Sequence, residues 1–168
     1  MDASTSGTIY DGGFVDPVFN SQAVFRGVMD AMANPGRIVD IGATAHAPAP
    51  LQTAASAVLA TLADYDTPVW FEADDFTNAA NWLSFHTGAP ITADPAEASF
   101  AVLAPNSASA TWSRFAIGTA SYPDRSATLF LPVNDFTSDR TLKLMGPGIE
   151  TSVSIAPAGL PEDFAAAL

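Results

Sequence analysis

The chain has 168 residues, 48% hydrophobic and 14% charged, with 18 acids against 6 lysines and arginines and a net charge of −12. These values predict a folded domain with a substantial core, and the acidity opposes binding to nucleic acid or an anionic membrane surface. Cysteine is absent, which excludes disulfides, thiolate nucleophiles and zinc–cysteine sites.

The first stretch, "MDASTSGTIYDGG", carries acids and lacks the basic and apolar regions of a signal peptide. Residues 1–15 read as a flexible N-terminal arm and residues 16–168 as a single α/β domain. "DPVFNSQAVFRGVMDAMANPG" reads as a helix with Asp16 at the N-cap and Pro17 in the first turn. Val24, Phe25, Val28, Met29 and Met32 share one face at helical spacing, and Asn34-Pro35-Gly36 ends the element. "RIVDI" (37–41) is a strand candidate. Residues 50–63 form a second helix, with Leu51, Ala55, Val58, Leu59 and Leu62 on one side.

"PVWFE" (68–72) follows as a strand. A third helix, "TNAANWLSFHTG", starts near Asp75 or Thr77 and stops at Gly88. "SFAVLA" (99–104) is apolar without alternation, as a central strand covered on both faces would be. "ATLFLPV" (127–133), "RTLKLM" (140–145) and "IETSVSI" (149–155) are further strands, and a short helix at 161–167 closes the chain. Helices and strands alternate early, while strands cluster late. That order predicts an α/β three-layer sandwich with a mixed sheet, antiparallel at its C-terminal end. The longest apolar runs fall far short of the ~20 residues that span a bilayer, so a soluble cytoplasmic protein is expected.

"GPG" at 146–148, beside Lys143, the only lysine in the chain, poses the question of a phosphate cradle. A dinucleotide fingerprint needs a third glycine and a strand-to-helix passage. Here Thr151 stands in that place and an alternating strand follows. Pro147 and Gly148 instead suit the two central positions of a type II turn from Gly146 to Ile149. Lys143 could form a Schiff base with a carbonyl cofactor, yet no phosphate cup or acid for a pyridinium nitrogen is recognisable. It reads as a strand lysine, with no cofactor expected.

No nucleophile elbow and no H-x-x-x-H pairing occurs, so neither a metal site nor a catalytic set is assigned. His46 lies in a proline-rich loop. His86 lies one turn after Trp82 at a helix end, where hydrogen bonding or favourable charge explains it. The acid pairs in "DYD" and "ADD" read as caps. Arg26, Arg37, Arg114, Arg125, Arg140 and Lys143 are scattered, whereas a polyphosphate site gathers several cations or a metal. The loop "GTASYPDRSATLF" (118–130) offers Gly118, Thr119, Ser121, Ser126 and Arg125 for anion contact, against a plain reading as a Tyr-Pro-Asp turn entering a strand.

"FRGVMDAMANPGRI" (25–38), "LATLADYDTPVW" (59–70), "WLSFHTGAP" (82–90), "GTASYPDRSATL" (118–129) and "LMGPGI" (144–149) together resemble the H subunit of the bacterial carbon–phosphorus lyase core complex, PhnH. Their order and spacing cover roughly residues 14 to 165. The resemblance implies a fold similar to the large domain of pyridoxal-phosphate (PLP)-dependent transferases, without the cofactor. It implies a complex with G, I and J subunits, and a homodimer is expected of the chain alone. With the nucleotide-binding L protein, such a system displaces adenine from ATP by a phosphonate, giving a ribose 1-phosphonate 5-triphosphate. The J subunit's iron–sulfur radical chemistry later breaks the C–P bond. The implied role of this chain is structural or part-site. The alternative is a free-standing small hydrolase or transferase using His86 and the 118–126 loop.

Overall fold

The computed structural model describes residues 9–42, 44–105 and 107–167. Helix α1, Pro17–Ala33, begins where the side chain of Asp16 accepts from the Phe19 N–H at 3.2 Å. It ends at Asn34, whose backbone N–H and side-chain amide both donate to the Asp30 carbonyl; Gly36 then turns the chain at φ +87°. Helix α2 spans Thr53–Leu62 and α3 spans Thr77–Thr87. Gly88 closes α3 in the left-handed region, its N–H donating to the Ser84 carbonyl at 2.9 Å, as its lack of a β-carbon permits. A short helix, α4, Phe164–Ala167, ends the described chain.

Strands β1 (Val69–Phe71), β2 (Phe100–Val102) and β3 (Thr128–Phe130) form a parallel sheet in that order, with Trp70 beside Ala101 and Ala101 beside Leu129. Parallel neighbours need long crossovers. The first crossover carries α3 and the second carries the helical turns of Ser109–Arg114. Side chains alternate across the sheet with the strand period. Val69, Phe71, Phe100, Val102 and Phe130 face a core shared with Val24, Leu59, Trp82 and Leu83 of the helices. Trp70, Ala101, Leu103, Leu129 and Leu131 face a second core with Trp112, Phe115 and Phe164. The β2 segment is therefore central and covered on both faces, as its unbroken apolar run predicts.

Strands β4 (Leu142–Leu144) and β5 (Val153–Ile155) pair antiparallel in a sheet of their own. The expected mixed sheet is thus two sheets, one parallel and one antiparallel. The β4–β5 pair packs on the end of α1 instead of extending the parallel sheet: a β-carbon on Gly36 would stand 2.7 Å from Val153 and 3.1 Å from Leu144. Within its connection, the Ile149 N–H donates to the Gly146 carbonyl at 3.1 Å, and Gly148 has φ +82°. This is the predicted turn.

Residues 37–41 form no strand. Ile41 packs on α1 closely enough that a β-carbon on Gly27 would stand 2.8 Å from it, while the free edge of β1 is bridged by Ile91. The expected arm at residues 1–15 lies partly outside the described residues. Its described part runs over α3, where the Trp82 indole N–H donates to the Asp11 carbonyl at 2.8 Å and Phe14 packs on the helical core. No helix of the described residues is long and apolar enough to cross a membrane.

Candidate functional site

Open parallel sheets bind ligands beyond the carboxyl ends of their strands. In this chain that position holds a cleft of about 590 Å³, within the range typical of ligand pockets. Val102 and Phe130 of β2 and β3 form its floor with Phe76. Residues 36–39, leaving α1, form one wall, and the first turns of α2, with Leu51, Gln52, Ala55 and Val58, form another. The chain beyond β2 and β3 closes the remaining side through Pro105, Pro132, Val133 and Phe136.

The chemistry of this cleft is apolar. Among the described residues, Arg37 is the one charged residue in its lining and Gln52 the one side-chain amide. Arg37 is already engaged, donating to Asp30 at 2.9 Å from a position that is more than half exposed, so screening leaves the pair weak. The cleft can hold an apolar body and one anionic group. It has no carboxylate or imidazole in its lining, and so no acid–base pair for proton transfer.

One wall carries a turn held by a carboxylate. The Asp135 carboxylate accepts from both the backbone N–H and the hydroxyl of Thr137 at 2.7 Å. The hydroxyl bond first, then the backbone bond, hold this carboxyl below its ordinary value. The turn presents Phe136 to the cleft.

A carboxylate that sequence reasoning passes over stands at the end of β1. Glu72 accepts from the Ala104 N–H and the Ser107 hydroxyl at 2.8 Å each, and from Thr111 at 3.4 Å. Its oxygens are taken up in holding the chain beyond β2, next to the cleft. The only sequence signal was an acid directly after a strand, because its partners lie 32 to 39 residues away.

The residues singled out from sequence are kept apart. His86 is exposed, and its Nε2 lies 2.9 Å from the Tyr10 carbonyl, so that nitrogen donates. Its ring packs between Trp82 and Phe85, and a β-carbon on Gly13 would stand 2.8 Å from Nδ1. The 118–126 loop instead turns back on itself, with Thr119 and Tyr122 exchanging backbone hydrogen bonds at 3.1 Å. It borders a smaller depression of about 330 Å³ lined by Glu97, Asp124 and Arg125. None of His86's partners lines that depression. Arg125 lies 4.1 Å over the Tyr122 ring, and two acids beside one arginine do not favour an anion.

The other cations have separate tasks. Arg114 lies 5.8 Å from the Trp70 ring centroid, and Arg140 donates to the Glu162 carbonyl at 2.8 Å. Lys143 is exposed on β4, in register with Ser154, outside the cleft lining. His46 is exposed and its backbone N–H donates to the Gly12 carbonyl at 2.8 Å. Asp64 caps its own turn, accepting from Asp66 and Thr67. Among the described residues, no group of three or more potential metal ligands comes together.

Residues 12–168 match the family model of the bacterial phosphonate metabolism protein PhnH. The chain is also 45% identical over 157 residues to the alpha-D-ribose 1-methylphosphonate 5-triphosphate synthase subunit PhnH of Rhizobium meliloti (strain 1021). That alignment covers 93% of this chain and 78% of the relative.

Proposed function

The chain belongs to the bacterial phosphonate metabolism protein family PhnH, and on that premise we propose that it is a subunit of a ribose 1-phosphonate 5-triphosphate synthase. In this reading the synthase joins a phosphonate to the ribose of ATP within the carbon–phosphorus lyase route of phosphonate catabolism, in the cytoplasm. The chain's role is structural or part-site, in company with G, I and J subunits, and it pairs with a second copy of itself when isolated. Its fold is that of the large domain of PLP-dependent transferases, without the cofactor.

The observation that carries this reading is the 45% identity along 93% of the chain to a protein that is itself a synthase subunit. The site chemistry is in keeping with it. A triphosphate product calls for several cations or a metal in one place, and Arg37, Arg114, Arg125 and Arg140 hold an aspartate, aromatic rings and a backbone carbonyl in different parts of the fold. An apolar cleft with one engaged arginine can complete a site that other chains furnish; it cannot supply the chemistry alone.

The test is mass by light scattering, alone and with G, I and J subunits added, together with an assay for turnover. A dimer alone, a larger stable complex on addition, and no turnover by the isolated chain are the expected results. A monomer that ignores those subunits yet hydrolyses or transfers a phosphorylated substrate unaided would overturn the reading.

A further inference from the structure

The lining of the cleft selects charge. The chain has 18 acids against 6 lysines and arginines, yet among the described residues the lining holds Arg37 and no acid. Asp40 and Asp135, close in the chain to lining residues, are engaged by the Gly42 N–H and by Thr137. Asp74 and Asp75, just before Phe76, are exposed. Arg37 spends one donor on Asp30, through Nη1 at 2.9 Å. Its Nε and Nη2 make no hydrogen bond among the described residues, so donors of the fork that suits a carboxylate remain available.

The start of α2 is the second polar part of the lining. Gln52 precedes the helix without a capping hydrogen bond from its side chain, and no acid stands in the first turn. The Ser56 N–H, on the Gln52 carbonyl, is the first paired donor of the helix. The N–H groups of Ala54 and Ala55, both lining residues, thus have no partner among the described residues. The remainder is apolar and partly aromatic, with Phe76, Phe130 and Phe136 in the lining. Ile38 and Phe136, on two different walls, are 61% and 42% exposed. A volume of about 590 Å³ is that of a small-molecule pocket.

We infer that the cleft binds a small organic monocarboxylate with an apolar body, its carboxylate directed toward Arg37 and the first turn of α2. Charge complementarity decides the class. One guanidinium already paired with Asp30 balances one negative charge. A phosphonate or phosphate dianion calls for several cations and meets the field of a chain at −12. An amine would meet Arg37 with no acid in the lining. The aromatic side chains and Ile38 supply the surface that an apolar body covers. The inference goes beyond the subunit reading and does not rest on it, since it concerns the isolated chain.

The test is an NMR titration of the isolated full chain with probes of one shape: phenylacetate, phenylacetamide, phenethylamine and the benzylphosphonate dianion. Phenylacetate should move the backbone amide signals of residues 36–39 and 52–55 and bind tightest. Phenylacetamide, without the charge, should bind about tenfold more weakly, benzylphosphonate more weakly than phenylacetate, and phenethylamine not measurably. Arg37→Met should weaken phenylacetate binding about tenfold with little change in melting temperature, because its pair with Asp30 is exposed. Arg37→Lys should restore part of that loss. Gln52→Asp caps α2 and brings an acid to the cleft, so it should raise the melting temperature while weakening phenylacetate binding about tenfold. A merely structural role for Gln52 would not oppose the two readouts.

Absence of shifts at residues 36–39 and 52–55 with every probe would overturn the inference. Equal binding of the amide and the carboxylate, or an unchanged affinity in Arg37→Met, would remove the anion and overturn it as well. Tighter binding of benzylphosphonate would assign the cleft to a dianion, with the same consequence. None of these outcomes bears on the subunit reading, which stands or falls with the mass measurements above.

Discussion

At the scale of single residues, two positions show how local chemistry decides. Gly148 sits at φ +82°, and a β-carbon there would stand 3.2 Å from both the Ala33 carbonyl oxygen and Pro35 Cδ. Gly148→Ala should lower stability by on the order of 1 kcal/mol or more in a urea titration, from the positive φ and the crowding together. A variant that melts with the parent would contradict the turn. Asp135 responds to pH in a stated direction. Its carboxyl is held below the reference value of 3.8 by Thr137, so its contribution is full above that value. It is lost as the pH falls through the lowered folded-state pKa. Thr137→Val should raise the Asp135 pKa in an NMR titration; an unchanged titration would show that the hydroxyl does not hold the carboxylate. Lys143 is exposed on β4, and Lys143→Ala should leave the visible absorption of the purified protein unchanged, since we propose no pyridoxal phosphate there. A band lost in that variant would reverse the proposal.

At the scale of elements, α1 and α3 are the informative cases. Both ends of α1 follow from local signals, the Asp16 cap and the Asn34-Pro35-Gly36 stop. Its orientation does not. The periodicity put Phe25, Met29 and Met32 on one face with Val24, yet Val24 is buried and the other three are exposed, because a helix apolar on two sides can turn only one toward its own core. On α3, Trp82 is fully buried, and its indole N–H depends on the Asp11 carbonyl. Deleting residues 1–14 should therefore destabilise the chain by about 1–3 kcal/mol from that unpaired group alone. Deleting only residues 1–8 should spare this bond. Equal melting of the two truncations would show that the Asp11 contact contributes nothing. His86 belongs to the same arrangement, its Nε2 directed at the Tyr10 carbonyl. The spacing located it at a helix end and left open what it met there.

At the scale of the whole molecule, the acid excess has a measurable consequence. If the acid excess of the chain steers its association with the other subunits, that association should slow and weaken as ionic strength rises from about 0.01 to 0.5 M, since the Debye length falls well below the size of an interface. Stopped-flow association across that range is the check, and rates independent of salt would remove charge from the account of partner choice. The two-sided coverage of the parallel sheet was legible in "SFAVLA", because only a strand covered on both faces tolerates so unbroken an apolar run. The separation of β4–β5 into its own sheet was not, since alternation marks a half-buried strand without saying which edge it joins.

What the amino-acid sequence determined by itself is whatever depends on neighbours a few residues apart: the cap and stop of α1, the Gly88 terminus, the type II turn at 146–149 and the central strand. The ordered set of segments from 25 to 149 also carried the family. Tertiary structure alone decided that residues 37–39 wall a cleft instead of forming a strand, that Glu72 spends its oxygens on residues 104–111, and that His86's partners lie apart from the depression beside the 118–126 loop. It alone left a stripe of α1 uncovered. The reason is physical. Capping and turn geometry act over three or four residues of chain, whereas burial and hydrogen-bond pairing are settled by which distant surface packs on a given face.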